Sequence, residues 1–245
     1  MIAARQTNHG ARLTMSDLPL HGAIVPVTPL QQNCSILWCA KTMKAAIVDP
    51  GGDVEVILEA VKDRGLTVEK VLVTHAHVDH AGAVAAIASI LDVPIVGPHR
   101  EDQFWIDQIE AAGRQYGMPD ARAFEPDEWL EDGATVGLGE TTLDVYHCPG
   151  HTPGHVVFHH VEAELAAVGD VLFRGSIGRS DFPRGDMAIL VASIVGKLWP
   201  LGDRTTFIPG HGPLSTFGEE RQTNPFVSDA VLARAAADAD ASADG

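Results

Sequence analysis

The hydrophobic positions in roughly the first hundred residues form short runs of strand length, separated by amphipathic stretches of helix length. GAIVPVTPL, CSILWCA, AAIVDPGG, KVLVTH and VPIVG are rich in apolar and β-branched residues, as is typical of buried strands. DVEVILEAVKDRG has apolar residues at helical spacing, with Asp53 as its predicted N-cap and Gly65 as its predicted end. GAVAAIASIL and approximately residues 101–114 predict two further helices. The pattern predicts strands that alternate with helices.

A second series of elements begins near residue 133. Glycine turns separate short alternating stretches in GATVGLGETTLDVYHCPGH, HVVFHHV and LAAVGDVLF, which predicts mainly strands. DMAILVASIVGKL then predicts a helix, and TTFIPGHG a final strand. Two series of this kind predict two sheets packed face to face with helices outside, a four-layer αββα sandwich of two similar halves. The apolar stripe of the predicted helix comprises Ile189, Leu190, Ile194, Val195 and Leu198.

We expect the folded domain to span residues 21–228. Residues 1–20 contain no apolar core of signal-peptide length and predict a flexible leader, while residues 229–245 are mainly alanine and aspartate and predict a frayed helix that ends in a flexible tail. No apolar run approaches the roughly 20 residues that a membrane span requires. The 3 cysteines are an odd number, as expected in a reducing compartment. These features predict a cytoplasmic protein with no membrane partner.

Charge excludes one class of partner. The chain has 33 acidic and 17 basic residues and a formal net charge of −16, so it lacks the positive field that nucleic-acid binding requires. An anionic substrate would need a local cluster of cations. No feature of the sequence predicts an oligomeric state.

The stretch VTHAHVDHAG concentrates imidazole and carboxylate groups directly after a predicted strand. It is either a solvated, histidine-rich turn or part of a metal site. Further histidines and an aspartate follow glycines at the ends of later predicted strands, where loops converge. Together the candidate ligands are five histidines and two aspartates: His75, His77, Asp79, His80, His151, Asp170 and His211.

This set has enough donors for two metal ions if one carboxylate bridges them. Nitrogen and oxygen donors without a thiolate fit Zn²⁺, with Fe or Mn as alternatives. Two cations about 3.5 to 4 Å apart can lower the pKa of a shared water and polarise a carbonyl. That chemistry suits hydrolytic attack on an acyl carbon and needs no protein nucleophile.

The motif H-x-H-x-D-H at residues 75–80, with the later His, Asp and His, resembles the signature of the metallo-β-lactamase superfamily, and the resemblance covers approximately residues 23–226. GDVLFRGSIGRSDFPRGD and FIPGHGPLSTFGEERQTNPF are most similar to the short, single-domain bacterial glyoxalase II type, the hydroxyacylglutathione hydrolases. The resemblance implies hydrolysis of S-lactoylglutathione or a related acyl-glutathione, in methylglyoxal detoxification. It also implies His75, His77 and His151 on one metal, Asp79, His80 and His211 on the other, and a bridging Asp170, with Asp79 and Asp170 as catalytic residues.

Other activities share this ligand pattern. The resemblance extends to persulfide dioxygenases, which would use one Fe at the positions of His75, His151 and Asp170. Lactonases and β-lactamases would attack a different acyl carbon with the same water, and a metal-binding protein without turnover is a third class. We favour the hydrolase because the second ligand set, Asp79, His80 and His211, is complete.

Arginines provide the candidate substrate-binding residues. RGSIGRSDFPRGD places Arg174, Arg179 and Arg184 shortly after Asp170, and Arg221 is a further candidate. In an acidic chain such a cluster could hold a glutathione carboxylate, although a solvated charged loop would have the same composition.

The remaining polar residues near the motifs are predicted to support the site or to be unrelated to it. Asp49 either braces the metal loop or completes a turn, and His155 could orient a ligand. Cys148 and the other cysteines are interpreted as buried packing residues. The remaining histidines are predicted to be surface or hydrogen-bonded residues: His9, His21, His99, His147, His159 and His160.

Overall fold

The computed structural model describes residues 5–6, 12–13 and 18–243. A first sheet contains five strands in the order β3-β4-β5-β6-β7, with β5, β6 and β7 parallel. Two short strands, β1 (Arg5–Gln6) and β2 (Arg12–Leu13), pair with each other separately. The strands of the first sheet are β3 (Leu20–Val27), β4 (Gln32–Cys39), β5 (Lys44–Val48), β6 (Thr67–Leu72) and β7 (Ile95–Val96).

The second sheet contains six strands in the order β15-β14-β11-β10-β9-β8, antiparallel except for the parallel pair β11 and β14. A small hairpin, β12 (Leu172–Phe173) with β13 (Ser176–Ile177), lies outside it. The two-residue strand β15 follows the strand that we predicted to be the last. The six strands are β8 (Thr135–Leu138), β9 (Thr141–His147), β10 (Val156–His160), β11 (Leu165–Gly169), β14 (Thr206–Pro209) and β15 (Ser215–Thr216).

Helices cover the outer face of each sheet. Those on the first sheet are α1 (Val54–Asp63), α2 (Val78–Ala81), α3 (Val84–Leu91), α4 (Gln103–Ile106) and α5 (Ile109–Gln115). Those on the second sheet are α6 (Met187–Ser193), continued by a π-helical turn (Ile194–Leu198) and a 3₁₀ turn (Trp199–Leu201), and α7 (Phe217–Thr223). A last helix, α8 (Asp229–Ala243), occupies most of the predicted tail.

Alternation along the strands generates the layers. In β5, Ile47 packs toward the helices whereas its neighbour Val48 packs between the sheets. In β10, Phe158 packs between the sheets whereas Val157 packs toward α6. Because successive strand residues point to opposite faces, each apolar run fills two cores at once. The resulting three cores confirm the predicted four-layer αββα sandwich.

Two predicted helix details are wrong. Asp53 occupies the N-cap position of α1, but its carboxylate does not cap the helix and instead accepts a hydrogen bond from the Thr28 amide at 2.7 Å.

The helix predicted over residues 101–114 is divided into a 3₁₀ turn (Arg100–Asp102), α4 and α5. At the break, the Gln108 side chain donates to the Phe104 carbonyl at 2.8 Å, so it competes with the backbone for this acceptor. Gly65, with φ 64°, follows the end of α1 as predicted.

The predicted apolar stripe of the helix at residues 187–198 is only partly buried. Leu190, Ile194 and Leu198 are fully buried, whereas Ile189 and Val195 are 47% and 36% exposed. The π-helical turn that begins at Ile194 is wider than an α-helical turn, so the α-helical spacing assumed in the prediction does not apply there. All three cysteines are buried and unpaired, as predicted.

The predicted domain limits of 21 and 228 stay a prediction. β3 begins at Leu20, and most of the predicted leader lies outside the described residues. Within residues 5–6, 12–13 and 18–243, no helix is both long and apolar enough to cross a membrane.

Candidate metal centre

The candidate ligands lie in four loops at one edge of the sandwich. β6 leads into an extended segment with His75 and His77, and the single turn of α2 carries Asp79 and His80. His151 lies in the turn between β9 and β10. Of the other two ligands, one directly follows β11 and one follows β14 after a glycine, and these two strands are parallel. The carboxyl ends of parallel strands meet at one edge of a sheet, so the last two loops converge there. Those two ligands are Asp170 and His211.

Three histidines form the first half of the cluster. The Nε2 atom of His151 lies 2.9 Å from the Nδ1 atom of His77. The ring centre of His75 is 4.9 Å from the ring centres of both. One nitrogen of each side chain lies within 4.8 Å of the others, which is a suitable spacing for a shared metal ion.

Asp79, His80 and His211 form the second half, with one ligand atom of each within 4.8 Å of the others. The Oδ2 atom of Asp79 lies 3.1 Å from Nε2 of His211 and 3.9 Å from Nε2 of His80. This half combines two imidazoles with one carboxylate.

Asp170 lies between the two halves. Its Oδ1 atom is 3.2 Å from Nε2 of His80, whereas its Oδ2 atom is 3.6 Å from Nε2 of His151 and 3.9 Å from Nε2 of His211. The carboxylate therefore faces both ligand sets, as a bridging ligand would. The structure brings together all seven candidate ligands from the four loops.

Unpartnered polar atoms test whether the cluster fits metal ions. Within the described part of the chain, Nε2 of His75, Nε2 of His80 and Oδ1 of Asp170 are buried without a hydrogen-bond partner, although the last two atoms lie 3.2 Å apart. A buried polar atom without a partner costs about 1 to 3 kcal/mol. Cations bound between these donors would remove that cost. The donor set fits divalent metal ions.

Asp49 braces the second half, which decides between the two roles predicted for it. Its Oδ1 accepts a hydrogen bond from the Thr74 amide at 2.7 Å, and its Oδ2 accepts one from the Thr74 hydroxyl at 2.5 Å. The same Oδ2 lies 2.9 Å from Nδ1 of His80. A proton on this Nδ1 leaves Nε2 of His80 free to act as a ligand.

His155 supports two candidate ligands without being one. Its Nε2 atom accepts a hydrogen bond from the Asp170 amide at 3.0 Å. Its ring stacks on the ring of His75, with centres 4.6 Å apart and planes at 17°. Burial lowers the pKa of His155, which keeps the ring neutral and able to accept this bond. His155 therefore orients Asp170, in agreement with the expectation that it could orient a ligand.

Asp102 was not singled out from the sequence. Its buried carboxylate accepts hydrogen bonds from the Ala76 amide at 2.9 Å, the Gly154 amide at 2.6 Å and the Thr152 hydroxyl at 3.0 Å. Burial raises the pKa of Asp102 to about 6, with the three hydrogen bonds acting in the opposite direction. An acid near the start of a predicted helix is ordinary, so its sequence position gave no signal.

The charges of the metal-free cluster are set by neighbouring groups. Burial alone would raise the pKa of Asp170, but His80, His151 and His211 lower it well below its usual range. Burial alone would lower the pKa of His80, but Asp170 and Asp79 raise it well above its usual range. In the first half, burial lowers the pKa of His75, so this imidazole is neutral and ready to bind a metal.

The metal-free protein is expected to lose stability as the pH rises above neutrality. The raised pKa of His80 gives stabilisation that is present below its unfolded value of about 6.5 and is lost as the pH rises through the folded value. The lowered pKa of Asp170 gives stabilisation that is lost only in acid, so it stays constant in this range.

Zinc binding requires neutral His80 and is therefore favoured by rising pH. The gain in melting temperature on adding zinc to EDTA-treated protein should be larger at about pH 8.5 than at about pH 6.5. Thermal unfolding at both pH values checks this expectation. A zinc-induced gain that shrinks with rising pH would contradict it.

The candidate arginines differ in their surroundings. The backbone carbonyl of Arg179 accepts a hydrogen bond from Nδ1 of His151 at 2.7 Å, which places this residue next to the cluster. Its guanidinium pairs with Asp181 and lies 4.6 Å from the ring centre of Phe182. The Phe182 ring is in turn 4.9 Å from that of His77.

The other candidate arginines lie in different settings. The guanidinium of Arg184 lies 4.0 Å from the ring centre of Phe104, and Arg174 is exposed between β12 and β13. Arg221, on α7, forms ion pairs with Asp203, which lies before β14, and with Asp229, the first residue of α8. These two pairs give the arginine structural partners.

Most of the other described histidines are hydrogen-bonded, as predicted. Nε2 of His99 lies 3.2 Å from Glu131, and Nε2 of His147 lies 2.8 Å from the Pro153 carbonyl. The prediction is wrong for His159, because it is buried with both nitrogens unpartnered. Burial lowers the pKa of His159 to about 4, so the ring stays neutral. His9 lies outside the described residues.

Residues 27–211 match the family model of the metallo-beta-lactamase superfamily, so the chain belongs to this superfamily and is a metal-dependent hydrolase. The hydroxyacylglutathione hydrolase GloC of Haemophilus influenzae is 41% identical over 206 residues, which cover 84% of this chain and 97% of the relative.

Two solved structures share the fold and more than a third of the sequence. The BLEG-1 B3 metallo-beta-lactamase matches with a TM-score of 0.78 and 37% identity, over 84% of this chain and 99% of that one. TTHA1623 in a di-iron-bound form matches with a TM-score of 0.76 and 38% identity, over 83% of this chain and 99% of that one. The His/Asp clusters on this fold indicate divalent metal ions, as predicted.

Proposed function

We propose that the protein hydrolyses acyl-glutathione thioesters, with S-lactoylglutathione as the leading candidate, to a hydroxy acid and glutathione. The observation that carries the proposal is the position of Asp170 between two complete ligand sets. Similarity to the hydroxyacylglutathione hydrolase GloC supports the substrate class. Zn²⁺ is the proposed metal, two ions per chain, and the di-iron form of TTHA1623 supports Fe as an alternative beside Mn.

The protein's own groups would hold and orient the metals. His75, His77 and His151 would hold one ion. Asp79, His80 and His211 would hold the other, with Asp170 shared between them. The chemistry that bound divalent ions supply is a water of lowered pKa and a polarised acyl carbonyl.

Two supporting contacts help these groups act. Nδ1–H of His151 donates to the Arg179 carbonyl, which directs the opposite nitrogen into the cluster. His155 accepts a hydrogen bond from the Asp170 amide and so fixes the backbone of Asp170. The carboxylates of Asp79 and Asp170 are then positioned to touch the reacting water, which is the catalytic role we propose for them.

Arg179 and Arg184 are the proposed contacts for glutathione carboxylates. Both guanidinium groups lie over aromatic rings, and Arg179 reaches the side of the cluster that carries His77 and His151. A guanidinium recognises a carboxylate through paired hydrogen bonds. Asp181 occupies Arg179 in this way, so a substrate carboxylate would displace Asp181 from it. Arg221 is a weaker candidate because it pairs with two aspartates rather than one. Arg174 is weaker because it is exposed on the hairpin of β12 and β13 and no described contact joins it to the cluster.

The function is tested with the zinc-loaded protein and S-lactoylglutathione, by the release of free thiol. Two metal ions per chain and steady thiol release are expected. Oxygen consumption with glutathione persulfide, one Fe per chain and an intact thioester would support the dioxygenase alternative and contradict the proposal. Hydrolysis of a lactone or a β-lactam without thioester cleavage would equally contradict it.

Substitution of Arg179 sharpens this test. Arg179→Ala is expected to raise KM for S-lactoylglutathione more than it lowers kcat, because a contact to a remote carboxylate binds substrate and transition state alike. Arg64→Ala is the matched control, since Arg64 is exposed and, among the described contacts, its side chain donates only to the Ala60 carbonyl of α1. An unchanged KM in the Arg179 variant would contradict its role in substrate binding and would indicate that it is only part of a solvated loop.

A further inference from the structure

We propose that Asp102 is a positioning residue that sets the spacing of the three-histidine half of the metal centre. The inference rests on the metal centre proposed above and concerns a residue that is not a ligand. Asp102 ends the 3₁₀ turn at Arg100–Asp102 and is 0% exposed.

The hydrogen bonds to Asp102 come from both loops that supply this half. Ala76, whose amide donates at 2.9 Å, lies between His75 and His77 in the chain. Thr152, whose hydroxyl donates at 3.0 Å, directly follows His151. One carboxylate therefore holds the backbones that carry all three histidines.

The turn that carries Asp102 is itself fixed to the loop that carries His151. The His99 amide donates to the Gly154 carbonyl at 3.1 Å, and the Gly154 amide donates to Oδ1 of Asp102 at 2.6 Å. The approach is so close that a Cβ atom on Gly154 would lie 2.4 Å from the Asp102 amide nitrogen. The spacing between turn and loop is thus held by backbone as well as by the carboxylate.

Hydrogen bonds to an ionised carboxylate are stronger than those between neutral groups, and burial strengthens them further. Within the described part of the chain, the three bonds to the Asp102 carboxylate all come from the loops of the three-histidine half. The other half has its own buried carboxylate, because Asp49 contacts His80 directly. Loss of the Asp102 charge should therefore weaken metal binding in one half only.

The test measures zinc affinity by chelator competition in two backgrounds that each retain one half. His211→Ala removes a ligand of the second half, whereas His77→Ala removes one of the first. Asp102→Asn is then added to each. The asparagine side chain has the same shape, but its NH2 group replaces an acceptor oxygen and so faces at least one of the three groups that donate to Asp102. Zinc binding is expected to weaken about tenfold or more in the His211→Ala background and to change less than about twofold in the His77→Ala background.

Equal weakening in both backgrounds would overturn the proposal and make Asp102 a residue of general stability. Thr152→Val is the milder variant, since it removes one donor and leaves both amide bonds; it should weaken zinc about two- to fivefold in the His211→Ala background alone. The chelator competition contains no substrate, so its result does not depend on the proposed activity. A protein that binds zinc as expected but does not hydrolyse the thioester would refute only the proposed substrate. Absence of zinc binding in the protein that keeps all seven ligands would overturn the metal centre and this inference together; if only that protein binds zinc, Asp102→Asn is tested in it and an unchanged affinity overturns the inference.

Discussion

Asp170→Asn is expected to lower kcat/KM at least about 100-fold and to reduce the metal content below two ions per chain. Even residues that only orient a ligand typically contribute about 10- to 100-fold, and Asp170 is the carboxylate that faces both ligand sets. An amide keeps the shape of the side chain but removes the negative charge that two cations share. Metal analysis and thiol-release kinetics on the same preparation measure both effects.

Asp63→Asn provides the matched control, because this aspartate is exposed on α1 and the same charge is removed. It should leave metal content and rate unchanged. Full metal content with a normal rate in Asp170→Asn would refute the bridging role.

Gly210→Ala is expected to lower metal content and rate about 10- to 100-fold, although it alters no ligand. A Cβ atom on Gly210 would lie 2.1 Å from Oδ1 of Asp170 and 2.4 Å from Cε1 of His80. Both distances are shorter than real Cβ contacts, so the carboxylate and the imidazole must move apart. The effect is steric, since Gly210 is not among the described residues with positive φ.

Gly137→Ala on β8 is the control, because a Cβ atom there meets nothing within 4 Å. Zinc content and thiol release of the two alanine variants should therefore separate sharply. Wild-type activity in Gly210→Ala would show that the cluster tolerates a shift of Asp170 and His80 and that its tight packing has no functional consequence.

The arrangement of the sandwich and of the ligand loops could be predicted because both follow from local patterns. Apolar runs of strand length specify two sheets, and each later ligand directly follows a glycine at a strand end. All three of these glycines lack space for a Cβ atom. Gly150 and Gly169 are required for a second reason, because they have positive φ of 130° and 47°, whereas Gly210 does not have positive φ.

The features that sequence reasoning missed depend on contacts between distant parts of the chain. Asp102 acts on Ala76 and Gly154, which are 26 and 52 residues away, and no local pattern identifies such an acceptor. Asp53 is a suitable N-cap by residue type, yet the Thr28 amide from another loop takes its carboxylate. The break in the helix at Gln108 is a local feature instead, where the Gln108 side chain donates to the Phe104 carbonyl four residues earlier.

The four ligand loops belong to both halves of the sandwich. His75 and His80 extend from the first sheet, whereas His151, Asp170 and His211 extend from the second. Ions that bind only the folded chain stabilise it by mass action, and here they would also join the two halves where they meet. Metal supply would then govern how long the protein resists cellular proteases, so scarcity of the ion would lower its abundance as well as its turnover.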